Sequence, residues 1–484
     1  LAWPMGAVMP SPCWDALSRA MTDGPDGPAS AGVAHINQHG KDHFKGVLAC
    51  SWTENKGRIL RSTRNYQPGD VILVESPLHI VQEQEKCAAF RKVQSLCKEF
   101  GQDFDYEPLW YWCAIQSLTP AQLKGATSDW CTGASAEVQH NLLLLHHEEV
   151  TEASAAAKIL ERELTPHADP IIIERLIQIW VLNCFEYSDR PQGYSTYFFS
   201  SFMSHSCYPN AVWHYTGADH VLRARREICV GDEVCISYLP ESGLLQSAPS
   251  RRMELHESKR FWCDCERCVE GVEDLSRGLA CPRCHEGIVF ARTPEAGPAR
   301  DASLLASQLL GAECAACGEK VSKADAAKLA GWEKELQKIV NRCSAAESVS
   351  VKQIQEHEAF IDKHFPQHVL ADLAWEQFCS IYASKWKIAD QRRLLERRCE
   401  FHKAAYPGLS GAHAWALEAL GDCMKSGGDR SNGGAGGAGA SGGNGDAADG
   451  ERQPASAAAA NGASSAASAA NQKKRAVPAP AKEE

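Results

Sequence analysis

The chain has 484 residues, 44% of them hydrophobic and 23% charged, an ordinary globular balance with length for two or three cores. Its net charge of −11 argues against a general nucleic-acid binder, which needs a basic face, and suits attraction of a basic peptide. No run approaches the ~20 apolar residues of a membrane span, and the start of the chain (Pro4, Pro10, Pro12, Pro25, Pro28) lacks a basic-then-apolar signal pattern.

Residues 1–45 are rich in Gly, Pro, Ser and Ala and are expected to lack a packed core. From Gly57 short β-type runs begin, Arg58 to Thr63 and Val71 to Glu75, with a Pro68-Gly69-Asp70 turn between them. Residues from about 86 to 187 read as helical: Ile173, Leu176, Ile177, Trp180 and Val181 recur at helical spacing. Strand signals resume near 197, with a hairpin predicted over Ala211 to Tyr215, Gly217-Ala218-Asp219 and Val221 to Arg225. Val234, Ile236 and Tyr238 then alternate as in a strand. A wholly helical stretch over 323–425 carries Leu370, Ala374, Phe378 and Ile381 on one face. Residues 426–484 are Gly/Ala/Ser-rich, expected to be disordered, and contain Lys473-Lys474-Arg475 as a candidate import signal.

Cysteine is the informative residue. Of 21 cysteines, Cys263, Cys265 and Cys268 form a C-x-C-x-x-C cluster, one ligand short of the four that a structural tetrahedral zinc site needs. Cys207, in Ser204-His205-Ser206-Cys207-Tyr208-Pro209-Asn210, is the candidate fourth ligand. Two C-x-x-C knuckles, Cys281/Cys284 and Cys314/Cys317, predict a second four-cysteine zinc site. An odd cysteine total with clusters at metal spacing favours a reducing compartment, cytoplasmic or nuclear, over a disulfide scaffold.

The 204–210 segment resembles the N-H-S-C-x-P-N motif of SET-domain lysine methyltransferases. Gly231-Asp232-Glu233-Val234-Cys235-Ile236-Ser237-Tyr238 resembles their G-E-E-L-x-I-x-Y motif, the 263–268 cluster their post-SET cysteines, and Lys56-Gly57-Arg58 their opening K-G-R-G. The split of the SET halves by about 100 helical residues is similar to the SMYD branch, SET proteins that carry a MYND zinc finger. The resemblance implies an α+β SET-type fold of small β-sheets. Its expected parts are a SET domain over 46–240, a post-SET zinc segment over 241–270, a second zinc module over 271–322 and an all-helical, tetratricopeptide-like region over 323–425. The chain departs from that branch in four places. Only Cys87, Cys97 and Cys113 stand where a MYND finger is usual; Ser204 replaces an Asn, Ile59 a Gly, and Lys259 an aromatic of the substrate channel.

The activity so implied is S-adenosylmethionine-dependent methylation of a protein lysine, histone or non-histone, with two structural zinc ions. The lysine amine has to be neutral against a reference pKa of about 10.4; a desolvating channel and a neighbouring cationic sulfur lower it. Tyr238 is the expected catalytic tyrosine. Lys56, Gly57, Arg58, Asn183, Ser204, His205 and Phe261 are the expected cofactor contacts, Phe261 stacking on the adenine. The aromatic run Tyr194, Tyr197, Phe198, Phe199, Phe202 reads equally as a channel wall or a core strand. A peptide is the expected partner of the C-terminal helices; no direct nucleic-acid or membrane contact is expected, and the chain reads as a monomer. The competing reading is a catalytically silent SET-fold scaffold, which Ser204 and Lys259 favour.

Overall fold

The structure is a computed structural model and describes residues 32–124, 133–295, 297, 305–344 and 349–428; the candidate import signal at 473–475 lies outside them. The described residues divide into two compact units, one up to Tyr238 and one from Leu239 onward.

The first unit opens with α1 (Val33–Phe44), then strands β1 (Leu48–Thr53), β2 (Gly57–Ser62), β3 (Val71–Glu75) and β4 (His79–Gln82). Helix α1 corrects the expectation of a coreless 1–45 segment at its C-terminal end. Ile36 is fully buried, and Gly40 passes so close to the Phe199 ring that a Cβ there would lie 2.9 Å from it. Helices α2 (Ala88–Glu99), α3 (Pro108–Gln116), α4 (Ala136–Leu143), α5 (Ala155–Leu164) and α6 (Pro170–Asn183) form the expected insertion. Helix α6 starts where Asp169 accepts the Ile171 N–H at 2.9 Å and Pro170 occupies the first turn, where its missing N–H is harmless. It packs on α3, which is buried on every side, and Trp180 donates its indole N–H to Ser117 at 2.8 Å.

Strands β5 (Phe185–Asp189), β6 (Gln192–Thr196), β7 (Ser204–His205), β8 (Ala211–Thr216), β9 (Asp219–Ala224) and β10 (Cys235–Ile236) complete the unit. The sheets are small: β1-β2, β4-β6-β5, β3-β9-β8 and the parallel pair β10-β7. The β8–β9 hairpin turns at Gly217, whose φ of 63° suits glycine. Tyr194, Tyr197, Phe198, Phe199 and Phe202 are all buried, so the aromatic run is core.

The second unit holds α7 (Ala248–Lys259), β11 (Glu273–Ala280), β12 (Ile288–Arg292), α8 (Leu305–Leu309), α9 (Lys323–Ser344), α10 (Val351–His364), β13 (Gln367–His368), α11 (Val369–Ser384), α12 (Ile388–Ala405) and α13 (Gly411–Gly428). Its sheet runs β12-β11-β13. Arg277 of β11 grips Glu333 of α9 at 3.0 Å, and His368 donates to the same carboxylate at 3.0 Å. Burial alone would raise the Glu333 carboxyl, but His368 and Arg277 hold it near 2. No described helix is long and apolar enough to cross a membrane.

Candidate active site and metal centres

The two motif segments meet as a parallel pair, with Cys235 opposite Ser204 and Ile236 opposite His205. The Ser206 N–H closes the pair on the Ile236 carbonyl at 3.0 Å. Asn210 locks it: its amide donates to the Glu233 carbonyl and accepts the Cys235 N–H, both at 2.8 Å. The opening strand joins from the other side, because the Val234 N–H donates to Leu60 and the Ser62 N–H to Asp232. Ile59, where the family pattern has Gly, is buried within β2.

Tyr238 follows β10 and is half-buried. Its hydroxyl donates to the Met203 carbonyl at 2.5 Å. Burial, then the charges of Cys235 and Glu233, push the phenol well above its ordinary pKa. It is a proton donor over the physiological range and not a phenolate base.

The His205 ring fills a role for which the sequence held no sign. Its Nδ1 accepts the Tyr238 backbone N–H at 3.0 Å, which puts the ring proton on Nε2, 3.3 Å from the Cys207 sulfur. One imidazole thus connects a candidate metal ligand to the candidate catalytic tyrosine. Ser204 donates to Glu233, which also takes Lys56 Nζ at 2.9 Å. Gly57 has a φ of 68°, and Arg58 places its guanidinium 5.0 Å from the centre of the Phe202 ring. Asn183 spends both amide protons inside the helical insertion, on the His146 and Ile179 carbonyls at 2.8 Å. Phe261 is half-buried just after α7, whose last residue is Lys259.

Both cysteine quartets are assembled. The sulfurs of Cys207, Cys263, Cys265 and Cys268 all lie within 4.8 Å of one another, as do those of Cys281, Cys284, Cys314 and Cys317. In the second quartet Cys281 is 3.8 Å from Cys317 and Cys284 is 3.9 Å from Cys314. A tetrahedron with zinc–sulfur bonds of about 2.3 Å has edges of about 3.8 Å, so the donor set fits zinc. The N–H groups of Arg283 and Gly287 point at the Cys281 and Cys284 sulfurs at 3.4 and 3.3 Å. Those of Gly287 and Glu286 lower the Cys284 thiol to about 7, favouring the thiolate that a metal binds. Either site can therefore hold a zinc ion. Cys87, Cys97 and Cys113 join no cluster among the described residues.

Met203, Asn210 and Glu233 belong to the site by geometry and were not singled out from sequence. Asn210 and Glu233 had a usable signal, as members of the two quoted motifs, and Met203 had none.

A family model described as SET domain matches residues 57–239. Among curated proteins, "Histone-lysine N-methyltransferase SMYD3" of Mus musculus is 40% identical over 82 residues, 17% of this chain and 18% of that protein. "Protein-lysine N-trimethyltransferase SMYD5" of Gallus gallus is 34% identical over 95 residues, 19% of this chain and 21% of that protein. The matched stretches thus span about a fifth of each relative. Among solved structures, "Crystal structure of the SET domain of LSMT bound to Lysine and AdoHcy" aligns at a TM-score of 0.29 and 11% identity, over 84% of this chain and 99% of that one. The match to the SET-domain model covers 57–239, the segment that contains the Ser204–Asn210 and Gly231–Tyr238 motifs, and SMYD proteins are among the curated relatives that the chain resembles.

Proposed function

We propose that the chain is an S-adenosylmethionine-dependent protein-lysine N-methyltransferase. The observation that carries this reading is the Tyr238 hydroxyl fixed on the Met203 carbonyl at 2.5 Å, beside the paired strands β7 and β10. The names of the SMYD relatives give it direct support.

The cofactor, when bound, supplies a methyl group on a cationic sulfur. The polar groups at hand suit it: the backbone at Gly57, bare of a side chain, the Ser204 hydroxyl, and the Met203 carbonyl and Glu233 carboxylate as acceptors. Lys56, Gly57, Arg58, Asn183, Ser204, His205 and Phe261 are the proposed contacts, His205 through its backbone because its ring is taken by Cys207 and Tyr238. Tyr238 acts as a neutral hydroxyl that orients the incoming amine. Backbone carbonyls such as that of Met203 offer weak C–H···O contacts to a transferring methyl. The remaining work is alignment of reacting atoms in a dry channel, a source of rate that needs no further acid or base.

The substrate is a lysine-bearing protein or peptide, histone or not, in the cytoplasm or nucleus. A partner peptide on helices α9–α13 and a monomeric state complete the reading. Any zinc held there would be structural, since each quartet offers four thiol ligands, the full set of a closed tetrahedral site. A silent scaffold is the second reading, favoured by the Ser204 hydroxyl being engaged by Glu233. Calorimetry with S-adenosylmethionine and S-adenosylhomocysteine separates the two. Heat of binding is expected from the enzyme, and a flat titration with both ligands favours the scaffold.

A further inference from the structure

We propose that Arg252 is the counter-cation of the metal centre formed by Cys207, Cys263, Cys265 and Cys268. A divalent ion held by four thiolates carries two surplus negative charges, and a dry tetrathiolate site has to be offset by its surroundings.

Arg252 lies on α7 and is 3% exposed. Its Nε donates to the Cys263 carbonyl at 3.1 Å, one terminal nitrogen to the Pro294 carbonyl at 2.7 Å, and the other to the Cys268 carbonyl. Every guanidinium nitrogen ends on a neutral oxygen, and two of those oxygens belong to metal-ligand residues. Among the described residues no carboxylate pairs with Arg252, and a buried cation without an anionic partner is costly in a low-dielectric interior. The buried carboxylate of this neighbourhood, Asp274, is committed elsewhere: its oxygens accept the Ala248 N–H at 2.7 Å, at the start of α7, and the Ser276 N–H at 3.2 Å. The anion that Arg252 fits is the thiolate cluster its hydrogen bonds frame. Arg251, 1% exposed, points the same way, with a terminal nitrogen 3.6 Å from the Cys268 sulfur and 3.1 Å from the Arg267 carbonyl. Two buried guanidinium charges thus stand against two surplus negative ones.

The second quartet is built differently. Its nearby arginine, Arg283, has a side chain 60% exposed and pairs with Asp325 at 3.6 Å. That quartet is therefore an internal control in the same protein.

The test uses the full zinc-loaded chain, its Arg252→Met and Arg252→Lys variants, and a coloured chelator that reports zinc release. Wild type is expected to release two zinc ions in two phases. Arg252→Met should release one of them at least about ten-fold faster, the scale of an outer-shell loss, and leave the other phase unchanged. Arg252→Lys keeps the charge but cannot reproduce the three-way planar fork, and should stay within about three-fold of wild type. Wild-type release from Arg252→Met overturns the proposal. Equal lability of the two variants also overturns it, because the fork and not the charge would then matter. Should Arg252→Met fail to fold, Arg252→Lys decides alone: near-wild-type release supports the counter-charge and rapid loss refutes it. None of these readings depends on methyl transfer.

Discussion

Replacing Gly287 by alanine should empty one metal centre and spare the other. Gly287 follows the first knuckle, and a Cβ built on it would stand 2.3 Å from the Cys314 sulfur and 2.7 Å from the Ala316 Cβ. Non-bonded heavy atoms settle at about 3.5 Å or beyond, so the sulfur would have to retreat by more than ~1 Å. A metal site tolerates bond-length deviations of about 0.2 Å. The required displacement is roughly five times that margin. Backbone retreat is an equally poor escape, since the Gly287 carbonyl accepts the Cys281 N–H at 2.8 Å and its own N–H points at Cys284. The assay is zinc per chain by mass spectrometry after exhaustive dialysis, with circular dichroism to check the helices. Wild type should carry about two zinc ions and Gly287→Ala about one, with stability lowered by about 1–3 kcal/mol from overpacking alone. A variant that keeps both ions and unfolds at the wild-type temperature would refute the tetrahedral assignment of the Cys281, Cys284, Cys314 and Cys317 sulfurs.

Three further outcomes follow from the site. Tyr238→Phe removes the donor to the Met203 carbonyl; turnover should fall by about 100-fold or more while cofactor binding by calorimetry stays close to wild type, and unchanged turnover would remove Tyr238 from the chemistry. Cys207→Ser should lose one zinc per chain and unfold at a lower temperature; full zinc content with unaltered melting would exclude Cys207 as a ligand. Glu75, buried at the end of β3, accepts the Phe199 and Ser200 N–H groups, and burial outweighs those bonds to raise its carboxyl from 4.5 to about 7. The folded chain thus keeps a proton that the unfolded chain loses between those values, so stability falls as pH rises through that window, by up to about 3 kcal/mol. Melting curves from pH 5 to 8 should show this slope in wild type and a flatter one in Glu75→Gln; identical slopes would show that Glu75 does not titrate there.

The two cysteine quartets were legible because their chemistry is written in spacing. Thiols at C-x-C-x-x-C and paired C-x-x-C positions announce metal ligands without any knowledge of the fold. The β8–β9 hairpin was legible from two alternating runs around Gly217. Features that depend on distant partners were not. Helix α1 sits in a stretch whose composition suggests no core, yet Ile36 and Gly40 gain their burial from β1 and from the Phe198–Phe199 pair far along the chain. The aromatic run could be wall or core until its neighbours were known. β10 has only two paired residues because it is held by Asn210 and β7 more than by strand propensity. His205 and Arg252 take partners from other parts of the chain, the Tyr238 N–H and the Cys268 and Pro294 carbonyls, and a lone His or a polar helical Arg gives no periodic sign of that.

Methyl transfer itself remains the most direct test of the account. Zinc-loaded protein incubated with S-adenosylmethionine bearing a deuterated methyl group and an array of lysine peptides, read by mass spectrometry, should place label on lysine nitrogen in wild type and almost none in Tyr238→Phe. Protein that carries both zinc ions and binds the cofactor, yet labels no lysine in any peptide or protein offered, would contradict it.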